Sequence, residues 1–219
     1  MTVIAVLAAA GRGERLGGSG PKALVPLAGR PLLELALAGL EAAPIDGVIV
    51  ARPPGDERVA EVAARFRTVV DVVDGGATRQ ASMRNALAAL PECDIVVCHD
   101  AARPFASPEL FTAVLAALDA ADGAVPVLPV HDTVKRMAGE VVVETMPRHE
   151  LGLAQTPQAF RREVLETAHR LAEEGVGASD DAALVERARY KVVAVPGEPG
   201  NLKITTPEDV LVASERARD

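Results

Sequence analysis

The sequence has almost no aromatic side chains and no excess of positive charge. Among its 219 residues there is no Trp, one Tyr and four Phe, and the formal net charge is −8. Proteins that bind single-stranded nucleic acids stack the bases on aromatic rings, and a nucleic-acid backbone is bound by a basic surface. The sequence therefore predicts no nucleic-acid partner. Any single base that binds here would be recognised mainly by backbone groups.

Cysteines and long apolar runs are also scarce. The two cysteines, Cys93 and Cys98, have no accompanying His/Cys pair at zinc-binding spacing, which favours buried reduced thiols. No apolar run reaches the roughly 18 residues of a membrane span, and the short apolar run at the N-terminus lacks the basic residues of a signal peptide. We therefore expect a cytoplasmic protein with no membrane partner.

Small and apolar residues are abundant, and they alternate between strand and helix patterns. Hydrophobic residues make up 49% of the chain, which predicts one domain over residues 1–219. The predicted strands cover residues 3–7, 48–51, 69–73, 95–99, 123–130 and 191–195. The predicted helices cover residues 31–40, 57–66, 79–90, 107–121 and 161–174, with a short one after 179–181 and a last one from Pro207. Such alternation indicates an α/β fold with a mostly parallel sheet flanked by helices.

One segment breaks this alternation. Two short segments, Val-Lys-Arg at residues 134–136 and Val-Val-Val-Glu-Thr at residues 141–145, flank a turn at residues 138–140, which predicts a β-hairpin. We expect this hairpin to protrude from the sheet as an arm.

The first predicted strand leads into a glycine-rich loop over residues 8–22. Glycines let a backbone approach a ligand closely, so the N–H groups of the loop can converge on phosphate oxygens, while Arg12, Arg15 and Lys22 add charge. The glycines are Gly11, Gly13, Gly17, Gly18 and Gly20. The loop matches neither common phosphate motif, because Pro21 precedes the lysine and Leu16 replaces a dinucleotide-motif glycine. The alternative interpretation is an ordinary surface turn.

Three loops are expected to meet at one edge of the sheet. Ligands of open parallel sheets bind beyond the carboxyl ends of the strands, where loops 8–22, 75–82 and 100–103 should converge, with Lys203 arriving late in the chain. Glycines, lysines, arginines and Asp100 suit a nucleoside triphosphate with Mg²⁺. Asp100 could instead cap a turn, and the lysines could be surface charges. The four histidines, which have no metal spacing, are interpreted as structural or surface groups: His99, His131, His149 and His169.

Several motifs, in order along nearly the whole chain, closely resemble the 2-C-methyl-D-erythritol 4-phosphate cytidylyltransferase family. The most specific is His-Asp-Ala-Ala-Arg-Pro at residues 99–104. The others are Leu-Ala-Ala-Ala-Gly at 7–11 with Arg15 and Pro21-Lys22, Val-Asp-Gly-Gly at 73–76 with Arg79 and Ser82, Asp-Thr-Val-Lys at 132–135, Thr-Pro-Gln at 156–158, and Asn-Leu-Lys-Ile-Thr at 201–205 with Pro-Glu-Asp at 207–209.

The resemblance implies a Rossmann-like nucleotidyltransferase fold with a dimerising β-arm at about residues 131–156. It implies a homodimer that uses CTP, methylerythritol phosphate and Mg²⁺ and releases pyrophosphate in isoprenoid precursor synthesis. Its implied catalytic residues are Arg15, Lys22 and Lys203. Its implied nucleotide-binding residues are Ala9, Ala10, Gly11, Gly75, Gly76 and Ser82. Its implied substrate-binding residues are Asp100, Arg103, Thr133, Arg148, Thr156 and Ser179, with Thr133 and Arg148 reaching into the partner subunit.

Three positions depart from the family pattern: Ala77, Pro147 and Gly200 stand where relatives commonly have acids. Gly200 is near the expected metal and offers no carboxylate. We therefore expect Mg²⁺ to be bound by the triphosphate, water and Asp100. Two other functions stay open at this point. One is a cytidylyltransferase for another polyol phosphate such as ribitol 5-phosphate, and the other is a nucleotide-binding module without turnover.

Overall fold

The computed structural model describes residues 1–16, 20–172 and 177–217. Two predictions fall outside these ranges. They are the contribution of Gly17 and Gly18 to the glycine-rich loop and the end of a helix that was predicted to reach Glu174.

The described chain alternates strands and helices much as the sequence predicts. The strands are β1 (Val3–Ala8), β2 (Pro26–Leu27), β3 (Arg30–Pro31), β4 (Gly47–Arg52), β5 (Val69–Asp74), β6 (Ile95–Asp100), β7 (Gly123–Pro129), β8 (Lys135–Ala138), β9 (Val141–Thr145), β10 (Gly152–Ala154), β11 (Gln158–Arg161) and β12 (Val192–Pro196). The helices are α1 (Leu32–Ala42), α2 (Glu57–Ala63), α3 (Arg79–Ala88), α4 (Pro108–Ala116), α5 (Arg162–Leu171), α6 (Asp181–Arg187) and α7 (Pro207–Arg216).

Eight strands form the central sheet, in the order β10-β7-β11-β6-β1-β4-β5, with β12 also paired to β7. Strands β1, β4, β5 and β6 form parallel pairs, as do β7 and β12. Strand β11 runs antiparallel between β6 and β7, and β10 runs antiparallel to β7. The predicted mostly parallel α/β sheet is confirmed, and the two short reversed strands are additions that the sequence pattern did not indicate.

Strand β1 shows why the sheet needs helices on both faces. Side chains alternate across a strand, and Val3, Ala5 and Leu7 pack into one core with α1, α2 and α4. Ile4 and Val6 point the other way, into a core with α3, α5 and α6. Because both faces of the strand are buried, its sequence is a continuous apolar run.

Several helices begin at side-chain caps and end slightly earlier than predicted. Asp56, Thr78, Ser107, Asp180 and Thr206 each accept a hydrogen bond from a backbone N–H in the first turn of the next helix. Helix α3 ends shortly before a proline at position 91, as expected from the restricted backbone that precedes proline. Helix α4 continues as a 3₁₀ turn over Ala117–Asp119.

Strands β8 and β9 form the predicted hairpin, and we call the segment that carries it, residues 131–151, the arm. They pair with each other and not with the central sheet in the described part of the chain. Gly139, at the turn, has a φ of +59°, which a side chain would make unfavourable. No helix within residues 1–16, 20–172 or 177–217 is long and apolar enough to cross a membrane.

Candidate active site

The carboxyl ends of the central strands bring the predicted loops together. In the parallel registers, Ala8 lies opposite both Ala51 and Asp100, and Arg52 lies opposite Asp74. A Cβ atom added to Gly75 would lie 2.6 Å from Cβ of Ala10, so the loops after β1 and β5 are in close contact. The predicted convergence of loops at this edge is therefore present.

The glycine-rich loop folds back onto the lysine at its end. The Lys22 N–H donates to the carbonyl of Gly11 at 2.9 Å. Gly13 has a φ of +71°, and a Cβ atom there would come within 3.2 Å of Cα of Lys22. The loop therefore requires glycine at this position, because a side chain would strain the backbone and press on Lys22.

The predicted base-binding groups are already ordered by internal hydrogen bonds. Buried Ser82 accepts from the N–H of Gly76 at 3.0 Å and donates to the carbonyl of Thr78 at 2.9 Å. The N–H groups of Ala9 and Gly75 donate to backbone carbonyls of β4 at 2.9 and 2.7 Å. These three N–H groups are therefore not free to bind a base in this arrangement.

A line of alternating charges runs from this edge into the protein. The Nζ of Lys203 lies 2.7 Å from Oδ2 of Asp100, whose Oδ1 lies 3.2 Å from Nε of Arg79. Nη1 of Arg79 lies 2.8 Å from Oδ2 of Asp181, and Oδ1 of Asp181 lies 2.9 Å from Nε2 of His169. We call these five residues the charge chain.

Electrostatics at the edge favour an anionic ligand. Burial, together with the positive charges of Lys203 and Arg15, lowers the pKa of Lys22 to about 8. The negative charge of Asp100 opposes this shift. Burial alone would raise the pKa of Asp100, but Arg79 and Lys203 outweigh it and hold that pKa well below its usual range. The three residues predicted to be catalytic, which we call the cation cluster, thus lie together and repel one another: Arg15, Lys22 and Lys203.

His99, Asp100 and Thr156 form a hydrogen-bonded group behind the charge chain. The Asp100 N–H donates to Oγ1 of Thr156 at 3.1 Å, and His99 Nε2 lies 3.2 Å from the carbonyl of Arg103, which can only accept. His99 Nδ1 therefore accepts from the Thr156 hydroxyl at 3.0 Å. Burial lowers the pKa of His99 to about 4, in agreement with this neutral ring.

Arg103 joins this group to the loop that carries Lys203. Its Nη1 donates to the carbonyl of Asn201 at 2.7 Å, and its Nη2 donates to the carbonyl of Ala154 at 3.2 Å. The side-chain amide of Asn201 donates in turn to the carbonyl of Thr156 at 2.8 Å. Arg103 and Thr156 thus lie beside Asp100, as predicted, with internal partners. Their contact with a second substrate stays a prediction.

The structure places the other predicted substrate residues apart from this group. Thr133, Arg148 and Ser179 are exposed, and Arg148 donates to the carbonyl of His131 at 2.5 Å. Within the described ranges, no hydrogen bond or ion pair links Thr133 or Arg148 to Lys22 or to the charge chain. One chain therefore assembles the nucleotide side of the predicted site but not the residues on the arm.

Asp100 is the acid that lies among the cations, but both of its oxygens contact cationic nitrogens. The part of the chain that the structure describes contains no cluster of three or more His, Cys, Asp or Glu residues that could hold a metal. Mg²⁺ in nucleotide sites is commonly held by one or two carboxylates together with substrate phosphates, so these residues fit a metal that arrives with its nucleotide. Asp100 as a metal ligand stays a prediction.

Sequence reasoning assigned no role to Arg79, Asp181 or His169. In the sequence, Arg79 is part of a family motif and Asp181 stands at the start of a predicted helix. His169 is interpreted as a structural or surface group. Asp181 and Arg79 are about a hundred residues apart in the sequence. Nothing in a single sequence points to this pair.

One departure from the family pattern has a structural reason. A Cβ atom at Gly200 would collide with the guanidinium of Arg216, which also lies 5.6 Å from the ring centroid of Phe105. The absent side chain at position 200 thus leaves room for Arg216. The structure offers no comparable explanation for Ala77 or Pro147.

An open, mostly parallel sheet with glycine loops, lysines and arginines at its carboxyl edge defines a nucleotide-binding protein of the nucleotidyltransferase type. The sequence profile of the 2-C-methyl-D-erythritol 4-phosphate cytidylyltransferase family, IspD, matches residues 3–217. The chain belongs to this family.

Individual relatives agree in both sequence and structure. The chain is 46% identical to the Saccharopolyspora erythraea enzyme of that name over 97% of this chain and 98% of the relative. The crystal structure of the Thermus thermophilus enzyme superposes with a TM-score of 0.83 at 40% identity, covering both chains completely. A synthase structure from Anaerococcus prevotii gives a TM-score of 0.86 at 31% identity over 100% of this chain and 99% of that one.

Proposed function

We propose that this chain transfers the cytidylyl group of CTP to 2-C-methyl-D-erythritol 4-phosphate, which releases pyrophosphate and gives 4-diphosphocytidyl-2-C-methyl-D-erythritol. This is the reaction for which its family is named. The observation that carries the proposal is the proximity of Arg15, Lys22 and Lys203, which is close enough for the two other charges to lower the pKa of Lys22. Such a cluster is unfavourable in the free protein and is stabilised by a polyanion.

The nucleotide occupies the loops at the carboxyl edge of the sheet. Its triphosphate lies against the glycine-rich loop, where Arg15 and Lys22 contact the phosphates. The carbonyl oxygens near Ala10 and Gly75 accept hydrogen bonds from the amino group of cytosine. The hydroxyl of Ser82 keeps this loop in place through its bonds to Gly76 and Thr78.

The reaction needs charge stabilisation more than proton transfer. The phosphate monoester of the second substrate is already ionised at neutral pH, since its second pKa is about 6. It attacks the α-phosphorus of CTP without a general base. Lys22 and Lys203 stabilise the negative charge that builds up on the five-coordinate phosphorus. His99 acts as no base, because its Nδ1 and Nε2 are both occupied by internal hydrogen bonds.

Mg²⁺ is the proposed cofactor, and it would be held by triphosphate oxygens and water, with Asp100 as the neighbouring acid. When bound it would offset part of the phosphate charge. The chain's own contribution is to orient the phosphates through Arg15, Lys22 and Lys203 and to bind the second substrate beside Asp100 and Arg103.

The proposed assembly is a cytoplasmic homodimer that forms through the arm. Met137, Val141, Val142 and Val143 are each at least half exposed on the arm, which a second chain could bury. In such a dimer, Thr133 and Arg148 of each arm would complete the other chain's site for methylerythritol phosphate, with Thr156 and Ser179 contributed by the chain that holds the nucleotide.

Mixing two inactive variants tests this arrangement. Lys22→Ala removes a nucleotide residue and Arg148→Ala removes an arm residue, so random pairing gives half mixed dimers with one intact site each. We expect each variant alone to be nearly inactive and the exchanged mixture to recover roughly a quarter of the wild-type pyrophosphate release. Arg136→Ala, which alters another arm arginine, is the matched control and should retain activity.

If mixed dimers are shown to form but pyrophosphate release does not recover, each arm serves the site of its own chain. The same assay with ribitol 5-phosphate tests the competing substrate, and we expect turnover with methylerythritol phosphate only. A wild-type protein that binds CTP without turnover of either substrate would instead be a nucleotide-binding module.

A further inference from the structure

We propose that Asp181 and His169 are positioning residues for the transfer reaction, which act through Arg79 to keep Asp100 paired with Lys203. The inference rests on the proposed function only for its kinetic consequence. The arrangement itself can be tested without turnover.

Asp181 and His169 are too deeply buried to be incidental surface charges. Their side chains are 1% and 3% exposed, respectively, and they belong to α6 and α5. Taking a carboxylate out of water is costly unless partners compensate, and Arg79 and His169 both lie within ion-pair distance of Asp181. Arg79 and His169 both help to hold the pKa of Asp181 below its usual value against the effect of burial.

Both side chains are almost fully enclosed by protein, so we place neither in contact with the substrates. His169 is part of the wall of a cavity of about 540 Å³ between α3 and α5, together with Arg84, Leu87, Glu166 and Arg170. From His169, four successive contacts lead through Asp181, Arg79 and Asp100 to Lys203. The charge chain is therefore a direct route by which these residues can influence the reaction.

The geometry of the charge chain shows how that influence works. Each carboxylate is divided between two partners, because Asp181 gives one oxygen to His169 and one to Arg79, and Asp100 gives one to Arg79 and one to Lys203. A guanidinium can bind both oxygens of one carboxylate. Asp181 holds Nη1 of Arg79 and so fixes the orientation of the guanidinium, whose Nε contacts one Asp100 oxygen while its Nη2 has no hydrogen-bond partner among the described residues. The other Asp100 oxygen stays with Lys203.

Removing the charge of Asp181 should rearrange this division. In an Asp181→Asn variant, Arg79 would be free to take both oxygens of Asp100, and Lys203 would lose its partner. Lys203 would then be less well placed to stabilise the reacting phosphorus. Loss of the His169 N–H should have a smaller effect in the same direction, because Asp181 would keep its charge.

Kinetics separates this role from a simple effect on folding. We expect Asp181→Asn to lower kcat about tenfold, the scale of a hydrogen bond to a charged group, while the Kd for CTP changes less than about threefold. His169→Leu should lower kcat less, and His169→Gln should restore most of it because the amide can still donate to Asp181. Arg170→Gln, which changes an exposed neighbour on α5, is the control and should leave kcat unchanged.

A double-mutant cycle tests the route through Lys203. In a Lys203→Ala background, Asp181→Asn should change kcat by less than about twofold, because the residue through which it acts is gone. Losses that multiply in the double variant, or a kcat per folded molecule that is unaffected by Asp181→Asn, would overturn the proposal.

A crystal structure of Asp181→Asn decides the arrangement even if the wild-type chain showed no transfer activity. We expect both Asp100 oxygens to contact Arg79 and Lys203 to move away. An unchanged pair between Lys203 and Asp100 would overturn the inference without bearing on the proposed function, whereas missing wild-type turnover would overturn the proposed function alone.

Discussion

The carboxyl edge of the sheet and the arm differ in how many of their side chains find partners within one chain. At the edge, Asp100 is almost fully buried and every one of its carboxylate oxygens has a cationic partner. On the arm, Val141 is 66% exposed and Arg148 contacts only the nearby backbone at His131 among described residues. The comparison teaches that one chain already pairs the charges at the edge, where we propose that the nucleotide binds, while it leaves the apolar side chains of the arm exposed.

The largest expected effect comes from the edge. Lys22→Ala removes one pre-organised cation and should lower kcat by about 10²–10³, the scale of losing one oxyanion donor. Lys191→Ala is a matched control, because Lys191 Nζ only donates to the carbonyl of Ala120 at 2.9 Å. Steady-state pyrophosphate release measures both, and wild-type turnover in Lys22→Ala would remove this lysine from the mechanism.

A smaller effect should accompany binding of CTP. The free enzyme holds the pKa of Lys22 at about 8, so the side chain is charged at pH 7 and largely neutral at pH 9. A bound triphosphate favours the ammonium form and raises that pKa, so binding above pH 8 should take up at most one proton and weaken as pH rises. Calorimetric titration in two buffers with different ionisation enthalpies measures the uptake.

Lys22→Ala provides the control for this measurement as well. The variant should bind CTP without the proton uptake at pH 8.5. An identical uptake in the variant would assign the titration to another group and would contradict the lowered pKa of Lys22.

Local sequence patterns predicted most of the fold. The apolar run of β1, the capping residue Ser107 and the turn at Gly139 each identify their element from a few neighbouring residues. Strands β10 and β11 were not predicted, because they are three and four residues long and form by pairing with distant strands. Strand β11 leads on from Thr156, so its absence from the prediction also concealed why Thr156 lies beside His99.

Part of the site was also predictable, because it too follows from local sequence patterns. Lys22 and Asp100 follow recognisable loops and strands, so a convergence of charges at the sheet edge could be deduced. The pairing of Arg79 with Asp181 depends on how α3 and α6 pack around the sheet, and no local pattern encodes it. The protruding hairpin, in contrast, was predicted from the sequence, because its turn and its two short strands are local features.

The comparison between the edge and the arm is tested most directly by the CTP affinity of a chain whose arm cannot dimerise. Val141→Asp combined with Val143→Asp charges one face of β9, and Leu211→Asp changes an equally exposed apolar residue on α7 as the control. We predict that the arm variant is monomeric and inactive, yet binds CTP with a Kd within about threefold of the wild type. The reason is that the substituted arm residues and the nucleotide site at the sheet edge are independent. A tenfold or greater loss of CTP affinity in the monomer would contradict the claim that one chain completes the nucleotide half of the site.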